Sequence, residues 1–455
     1  MEANNVALMF PEEISAVFKA VEQDKQRLMD DLRELIAVPS VSAKNQGITE
    51  AAELLKTMLE RDGFKVSLLE TDTGRPAVFG VKEGAGKPIL LYNHYDVQPP
   101  EPLEEWETQP FKLVERDGRL YGRGVADNKG EIAARLAAVR VAERTYGRLP
   151  LTVKWLIEGE EEVGSPSIGE LVLKHRELFS DCFGCLWEGG DVVDGVPNFY
   201  LGVKGMLYVE LSVKTAQADA HSMYAPVLEN AAEKLVKIVA GLRDARGRVT
   251  LPGFYRDVKK PTRMERKMLA SAKIDAGKLA EALGVSKLAV GKGRVVEKLV
   301  YSPTCNIAGI YSGYTGPGSK TITPSKAGVK IDFRLVPNQD PDKILKSLKK
   351  NLRGVEVIVH SKSYPARISP NSAVVRAAVL AAEKVYGVKP VIYPNMFGTG
   401  PMAHFTRAGI PSAMLTALSH PGSRLHAPNE NIFVTDFVKS VAHHALLFKE
   451  VGVQA

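Results

Sequence analysis

Cysteine is scarce in this sequence, and long apolar runs are absent. The 455 residues include three cysteines, too few for the disulfide framework of a small secreted domain. Apolar segments such as 88–92 and 151–157 have the length of a strand, far below the roughly 18 residues that suggest a membrane span. The first residues carry neither the basic region nor the apolar region of a secretion signal. We therefore expect a cytoplasmic protein without a membrane-spanning segment.

Positive charge is concentrated in one segment. Lysine and arginine number 60 and aspartate and glutamate 53, for a formal net charge of +7. Residues 243–299 hold 15 basic and 6 acidic residues, a surplus of 9, so the rest of the chain sums to 7 − 9 = −2. This basic segment has few aromatics and no nucleic-acid motif. We interpret it as a solvated basic face and expect no nucleic-acid partner.

The apolar periodicity divides the chain into two patterns. Helical spacing over 12–37, 49–62 and 129–144 alternates with strand-like runs up to about residue 205, and the same pattern resumes from 369. Residues 206–214 instead alternate apolar and polar side chains, as in a sheet covered on one face. We predict an α/β domain with a mixed central sheet flanked by helices (1–205 and 367–455), interrupted by an inserted α+β domain (206–366).

Two polar motifs precede or follow predicted buried elements in the first half. His94 ends an apolar run and Asp96 follows it; a histidine there points into the crevice where α/β sheets bind ligands, and a nearby carboxylate can orient a metal-binding imidazole. The alternative is a structural histidine. Asp127 lies in a glycine-rich turn just before a helix, where a carboxylate could bridge two cations. Its alternative role is the N-cap of that helix.

Acidic residues end two further predicted strands. Four glutamates, at 158 and 160–162, follow the apolar run 151–157, and Glu188 follows a short strand and precedes two glycines. Carboxylates so close together repel one another, and cations would relieve the repulsion. A solvated acidic loop is the alternative for the run. Cys182 and Cys185 form a CxxC pair that we interpret as packing on that strand, because only one other cysteine exists.

A turn-rich loop near the C-terminus carries His420 and His426, with Asn429 and Glu430 close behind. Either histidine alone could be a surface residue. Together and in this order, the five motifs resemble those of the two-metal aminopeptidase-like family, which includes cytosolic nonspecific dipeptidase, carnosinase, glutamate carboxypeptidase, acetylornithine deacetylase and succinyl-diaminopimelate desuccinylase. The resemblance runs from about Leu32 to the C-terminus. Segments 94–99 and 333–338, with the basic insertion, look most like the dipeptidase and carnosinase branch.

The resemblance implies a catalytic domain that holds two divalent metal ions. The implied ligands of one ion are Asp127, Glu162 and His426, and those of the other are His94, Asp127 and Glu188. Such donors suit zinc, with manganese or cobalt as alternatives. Asp96 then orients His94, and Glu161 is the general base that takes a proton from a metal-bridging water. A regular strand would point Glu161 and Glu162 to opposite faces, so these roles require an irregular strand end.

The resemblance also gives the inserted domain a role as lid and dimerisation element. His221 matches a histidine that reaches into the neighbouring subunit's active site, although this chain has Met223 where the family has glycine. Arg334 matches an arginine that binds the substrate carboxylate. Asn306 and Thr399 are further substrate-binding candidates. For His221 and Arg334 the alternatives are a loop cap and an ion pair.

Three functions follow from these expectations. The first is a zinc-type metallopeptidase, a homodimer, that cleaves dipeptides or removes the C-terminal residue of short peptides. The second is a deacylase of N-acyl amino acids, because it would use the same apparatus. The third is a non-catalytic protein that binds an anionic partner through the basic segment. The complete set of implied ligands, together with Glu161, argues against the third.

Overall fold

A computed structural model describes residues 11–272 and 274–454 of the chain. The first ten residues, in which we expected no secretion signal, lie outside the described part. The helices are α1 Pro11–Ala37, α2 Ile48–Arg61, α3 Lys129–Tyr146, α4 Ile168–Lys174, α5 Arg176–Phe179, α6 Ala231–Gly241, α7 Arg263–Ser271, α8 Ala276–Ala282, α9 Val295–Tyr301, α10 Pro341–Asn351, α11 Ala373–Tyr386, α12 Ala403–Arg407 and α13 Val434–Gln454.

Strands occur both in the first and last parts of the chain and in its middle. They are β1 Lys65–Leu69, β2 Ala77–Lys82, β3 Ile89–His94, β4 Val114–Arg116, β5 Arg119–Tyr121, β6 Val153–Glu158, β7 Cys185–Trp187, β8 Asp191–Val193, β9 Val196–Tyr200, β10 Gly202–Val203, β11 Gly205–Lys214, β12 Ala220–His221, β13 Asn306–Ser312, β14 Ile322–Thr323, β15 Lys326–Leu335, β16 Glu356–Ser363, β17 Ala366–Arg367, β18 Val391–Tyr393, β19 Ser412–Met414 and β20 Asn431–Phe433.

The central sheet is mixed, and its inner strands β3 and β7 are buried on both faces. Its order is β1-β2-β6-β3-β7-β19-β9-β18, with β8 paired to β9. Strands β6, β3, β7 and β19 are mutually parallel, whereas β1, β2 and β8 pair antiparallel to their neighbours. On β3, Ile89 and Leu91 pack into the core that contains α1, α3, α11 and α13, while Leu90 and Tyr92 pack into the core that contains α4 and α12. This strand is apolar throughout because both of its faces are covered.

The inserted unit is a separate antiparallel sheet with its own core. Its order is β13-β15-β11-β16, and helices α6 and α10 pack on one face. Residues Leu207, Val209, Leu211 and Val213 of β11 point into that core, and the residues between them are only partly covered. The period-two pattern therefore identified a sheet that is open on one side. The predicted fold class, an α/β domain interrupted by an α+β unit, is confirmed, and the exact domain boundaries stay predictions.

The basic segment folds partly into short helices that rest on the first unit. Helix α7 contacts strand β18, and Ala272 and Val300 pack with Tyr393. The three cysteines are free and buried; Cys185 lies on β7 as expected, but Cys182 precedes the strand. Among the described helices, none combines the length and the apolar character that crossing a membrane requires.

Candidate metal centre

Three adjacent parallel strands deliver the first set of predicted ligands. Strands β6, β3 and β7 are neighbours, so their carboxyl ends meet at one edge of the sheet. His94 is the last residue of β3 and Glu188 directly follows β7. Glu161 and Glu162 follow β6 by three and four residues. Residues separated by up to 94 positions in sequence therefore converge because their strands share a direction.

Strand pairing at the periphery brings in the remaining two ligands. Strand β20 pairs with β5, with Asn431 opposite Tyr121. The loop that carries His426 precedes β20, and the glycine-rich turn that carries Asp127 follows β5. This pairing places the two segments side by side. Asn128, and not Asp127, occupies the N-cap of α3, and its side chain makes no capping hydrogen bond, so the N-cap alternative for Asp127 is wrong.

Asp127 lies between the two histidines. Its Oδ1 is 3.0 Å from His94 Nε2, and its Oδ2 is 2.9 Å from His426 Nε2. Glu162 Oε2 lies 3.2 Å from His426 Nε2, and Glu188 Oε2 lies 3.5 Å from His94 Nε2. The five side chains thus form two groups, each with one imidazole and one further carboxylate, that share Asp127.

The donor atoms fit divalent cations. Ligand atoms of Asp127, Glu162 and His426 all lie within 4.8 Å of one another. Glu188 Oε2 is buried and has no hydrogen-bond partner in the described part of the chain, which is costly for a carboxylate unless a cation satisfies it. Imidazole and carboxylate are donors that zinc, manganese and cobalt accept.

The crowding shifts the pKa of both histidines and of Glu188. Hydrogen bonds with Asp127 and Glu162 raise the pKa of His426 to about 10. Burial by itself lowers the pKa of His94, but the carboxylates around it, Glu188 first, hold that pKa well above its usual range. Burial also raises the pKa of Glu188 well above its usual range. The raised pKa values keep both imidazoles protonated. Their positive charge balances the carboxylates, as bound cations would do.

Asp96 connects His94 to the glutamate pair. The Nδ1–H of His94 donates to the backbone oxygen of Asp96 at 3.0 Å, and the Asp96 carboxylate lies 3.4 Å from the same nitrogen. That carboxylate accepts the backbone N–H groups of Glu161 at 3.2 Å and Glu162 at 3.0 Å. One fully buried side chain therefore holds both the first histidine and the turn that follows β6.

The four glutamates at and after the end of β6 do not act as one cluster. A 3₁₀ turn spans Glu161–Val163, and this irregular backbone lets adjacent residues face the same cleft. Burial raises the pKa of Glu161 to about 7, and the nearby His94 opposes that shift. Glu158 instead accepts hydrogen bonds from Tyr92 and, at 2.9 Å, from Ser165. Glu160 accepts one from Thr73, so neither of these two shares the ligand contacts.

Sequence reasoning missed Glu430, although the residue stood in a recognised motif. It is fully buried and accepts hydrogen bonds from Arg123 at 2.7 Å and from three backbone N–H groups, those of Gly124, Ala126 and Asp127, at 2.8–3.0 Å. The carboxylate therefore holds the glycine-rich turn in place. A glutamate at the end of a motif that begins with a ligand histidine was the available signal.

The predicted substrate-binding residues form a second cluster. The Nη1 of Arg334 donates to Thr399 Oγ1 at 2.6 Å, and Asn306 Nδ2 donates to Asp332 at 2.8 Å. Arg334 Nε lies 3.8 Å from Asp332. Asp332 thus connects Asn306 to Arg334, and Arg334 contacts Thr399 directly. This cluster lies on the open side of the inserted sheet.

Lys204 belongs to this second cluster and was also missed. Its backbone pairs with Thr399, and its side chain is 4% exposed. Burial and the charge of Arg334 lower its pKa to about 8. A lysine between Val203 and Gly205 carries no recognisable signal in sequence, because its proximity to Arg334 depends on the meeting of two units.

The contacts described for His221 involve no residue of either cluster. His221 belongs to β12, which pairs with β14, and its side chain is exposed. Its Nδ1 accepts the backbone N–H of Met223 at 3.1 Å. Within one chain the structure therefore shows the loop-capping contact, and the contribution to a neighbouring subunit stays a prediction.

Several known proteins are similar to this chain over most of its length. The model of peptidase family M20/M25/M40 matches residues 90–450. The β-Ala-His dipeptidase of Mus musculus is 27% identical over 96% of this chain and 91% of its own length. The Cys-Gly metallodipeptidase dug1 of Schizosaccharomyces pombe is 24% identical over 94% of this chain and 96% of its own. The crystal structure of an M20 family metallo-carboxypeptidase, Sso-CP2 from Sulfolobus solfataricus, is 40% identical, with a TM-score of 0.87 and coverage of 94% of this chain and 99% of that one.

Proposed function

The chain belongs to peptidase family M20/M25/M40 and is a metallopeptidase, and we propose that it hydrolyses the amide bond of dipeptides or of the C-terminal residue of short peptides. The observation that carries this proposal is the convergence of four side chains, those of His94, Glu162, Glu188 and His426, around Asp127. Glu161 lies beside them, a carboxylate with no place in either group. The names of the relatives favour peptide hydrolysis over deacylation of N-acyl amino acids.

Two divalent ions would occupy the cluster. One would be held by Asp127, Glu162 and His426, and the other by His94, Asp127 and Glu188. Zinc is our proposed metal, with manganese and cobalt as alternatives. When bound, the ions polarise the scissile carbonyl and stabilise the negative charge that develops on its oxygen.

Glu161 moves the proton in this proposal. Its carboxylate accepts a proton from the attacking water and returns it to the nitrogen of the leaving amine. Asp96 keeps the carboxylate in reach because it binds the backbone of the turn. Glu162, one residue later, remains a ligand, and the 3₁₀ turn allows these neighbours to have different roles.

Arg334 and its neighbours would bind the free carboxylate of the substrate. A planar guanidinium can donate two parallel hydrogen bonds to a carboxylate, and the buried ammonium of Lys204 adds positive charge next to it. Thr399 and Asn306 supply further hydrogen-bonding groups. A site of this kind selects substrates that end in a free carboxylate, as dipeptides do.

A homodimer through the inserted unit completes the proposal. Strand β13 is an edge strand, paired on one side with β15. Exposed apolar side chains lie on it and near His221: Met223, Tyr224, Val227, Ile307, Ile310 and Tyr311. Unpaired edges and exposed apolar groups of this kind are typical of interfaces, and His221 would then face the partner's site. We also propose a cytoplasmic location.

The decisive variant is Glu161→Gln. It keeps the size of the side chain but removes the proton acceptor, so we expect turnover to be lost while two metal ions per chain remain by elemental analysis. The matched control is Glu160→Gln, whose side chain contacts Thr73 and Arg75 outside the cleft and should retain activity. A Glu161→Gln enzyme with half the wild-type rate would remove Glu161 from this role.

A substrate panel tests the reaction itself. The protein would be assayed with zinc, manganese or cobalt against free dipeptides, longer peptides and N-acetyl or N-succinyl amino acids. We expect hydrolysis of dipeptides or release of C-terminal residues. Hydrolysis of the acylated amino acids alone would overturn the peptidase proposal in favour of deacylation.

A further inference from the structure

A cavity of about 560 Å³ lies where the inserted unit meets the first unit, away from the residues of the metal centre. Its walls come from the loop before α7 and the start of that helix (259–265), the turn after β15 (336–343), residues 364–367 and the end of α12 (406–407). Small-molecule sites usually occupy roughly 300–1,000 Å³ and often lie between domains. The cavity is therefore large enough for an organic ligand.

Positive charge dominates the wall. Five cationic side chains line the cavity, against two carboxylates, those of Glu265 and Asp340; the cations are Lys259, Lys260, Lys343, Arg367 and Arg407. Both carboxylates already have partners. Glu265 accepts a hydrogen bond from Arg367 at 2.7 Å, and Asp340 caps α10 by accepting the backbone N–H groups of its first turn at 2.8 and 3.2 Å.

Three of the cations remain available to a ligand. The exposed side chains of Lys259 and Lys260 make no ion pair or hydrogen bond with the residues that the structure describes. The guanidinium of Arg407 lies over the ring of Tyr364, 3.9 Å from its centroid, which leaves its edge free to donate. Lys343 is already 3.5 Å from Asp257. Like charges that line one cavity repel one another, and an anion bound between them relieves that repulsion.

We propose that this cavity binds an organic phosphate with at least two negative charges, and that substrate affinity responds to its binding. Arginine donates two parallel hydrogen bonds to phosphate oxygens, and lysine binds phosphate as a point charge. The rings of Tyr301 and Tyr364 also lie in the wall, each with one face covered by a guanidinium. Their remaining surface can contact the organic part of the ligand. A net positive wall around a cavity of this size thus favours a phosphate ester over a bare inorganic ion.

The walls continue into the substrate cluster, which is the reason to expect coupling. Val336, in one wall, is two residues beyond Arg334. Strand β17, which carries Arg367, pairs with β10, directly before Lys204. Helix α12, which carries Arg407, begins four residues after Thr399. A ligand that bridges these segments fixes the position of the inserted unit relative to the first. The expected effect on substrate affinity rests on the proposed peptidase activity, whereas the binding of the phosphate does not.

The test is calorimetric titration of the metal-loaded enzyme with adenosine 5′-monophosphate, a doubly charged ester that chelates metals weakly, and with uncharged adenosine. The variant is Lys260→Gln with Arg407→Gln. The matched control is Lys349→Gln with Arg353→Gln, which removes the same charges from exposed positions outside the cavity. We expect the nucleotide to bind wild type and control equally, the cavity variant to bind it at least about tenfold more weakly, and adenosine not to bind.

The proposed site would be wrong if the two double variants bound the nucleotide with equal affinity. It would also be wrong if adenosine bound as tightly as the nucleotide, or if the nucleotide did not bind at all. The second readout is the KM for a dipeptide. We expect saturating nucleotide to change KM in wild type and control, but not in the cavity variant. An unchanged KM in a wild-type enzyme that binds the nucleotide and cleaves the dipeptide would overturn the coupling alone.

Discussion

The metal centre and the substrate cluster are built in different ways. In the metal centre, ligands lie at or just after the ends of strands of the central sheet and in loops next to the small sheet β20-β5-β4. Buried carboxylates hold the backbone beneath them: Asp96 binds the turn after β6, and Glu430 binds the turn around Asp127. In the substrate cluster, Arg334 and Thr399 come from two units and meet through one hydrogen bond between side chains.

This difference determines what each region can do. Ligands fixed by strand register and by several backbone hydrogen bonds keep their geometry whether or not substrate is bound, as a preorganised catalytic site requires. Contacts between two units can form and break as those units move, because each contact consists of one or two hydrogen bonds between side chains. We therefore expect variants of the metal centre to have lower turnover, and variants of the substrate cluster to have lower affinity for the substrate.

The largest effect is expected for Asp127→Ala. Both groups of ligands share Asp127, so its removal should release both ions and lower activity by at least about a thousandfold. Elemental analysis after gel filtration measures the metal. Two ions per chain in this variant would show that Asp127 does not bridge them.

Asp96→Asn should have a smaller effect on the same region. An amide can accept only one of the two backbone N–H groups that the carboxylate accepts, and its NH₂ group would face the other. We expect metal affinity to fall by roughly 10- to 100-fold, measured by competition with a chelator. Asp117→Asn, on an exposed turn, is the control. Unchanged affinity in Asp96→Asn would mean that β-strand register alone positions the ligands.

Arg334→Lys tests the substrate cluster. It keeps the charge but removes the planar fork, so KM for a dipeptide should rise about tenfold while kcat and metal content change little. Lys330→Arg, on the exposed part of the same strand, is the matched control and should leave KM unchanged. A fall in kcat without a change in KM would assign Arg334 to the chemistry and weaken the contrast between the regions.

The smallest signal comes from mixed dimers of Glu161→Gln and His221→Ala chains. Each variant alone should be nearly inactive. If His221 acts across subunits, a mixed dimer has one complete site, and random pairing should restore about a quarter of wild-type activity. Two affinity tags on coexpressed chains identify the mixed dimers. Mixed dimers that form without recovered activity would contradict the cross-subunit role.

Sequence patterns predicted much of the fold and the elements that carry the ligands. Strand β3 was recognisable because it is apolar on both faces, and His94 because it ends that strand. The open sheet of the inserted unit was recognisable from the alternation along β11. Glu430 and Lys204 escaped prediction because their partners are backbone groups and side chains that are distant in sequence.

The order of apolar and polar residues specifies which strands are buried on both faces, where each of them ends, and which acids and imidazoles stand at those ends, since these are local properties of the chain. That Asp127 lies between two histidines, that Glu160 turns away from the cleft while Glu161 does not, and that five cations surround one cavity depends on strand pairing and on the contact between two units. Those arrangements join residues tens to hundreds of positions apart, and only the packed molecule brings such residues within bonding distance.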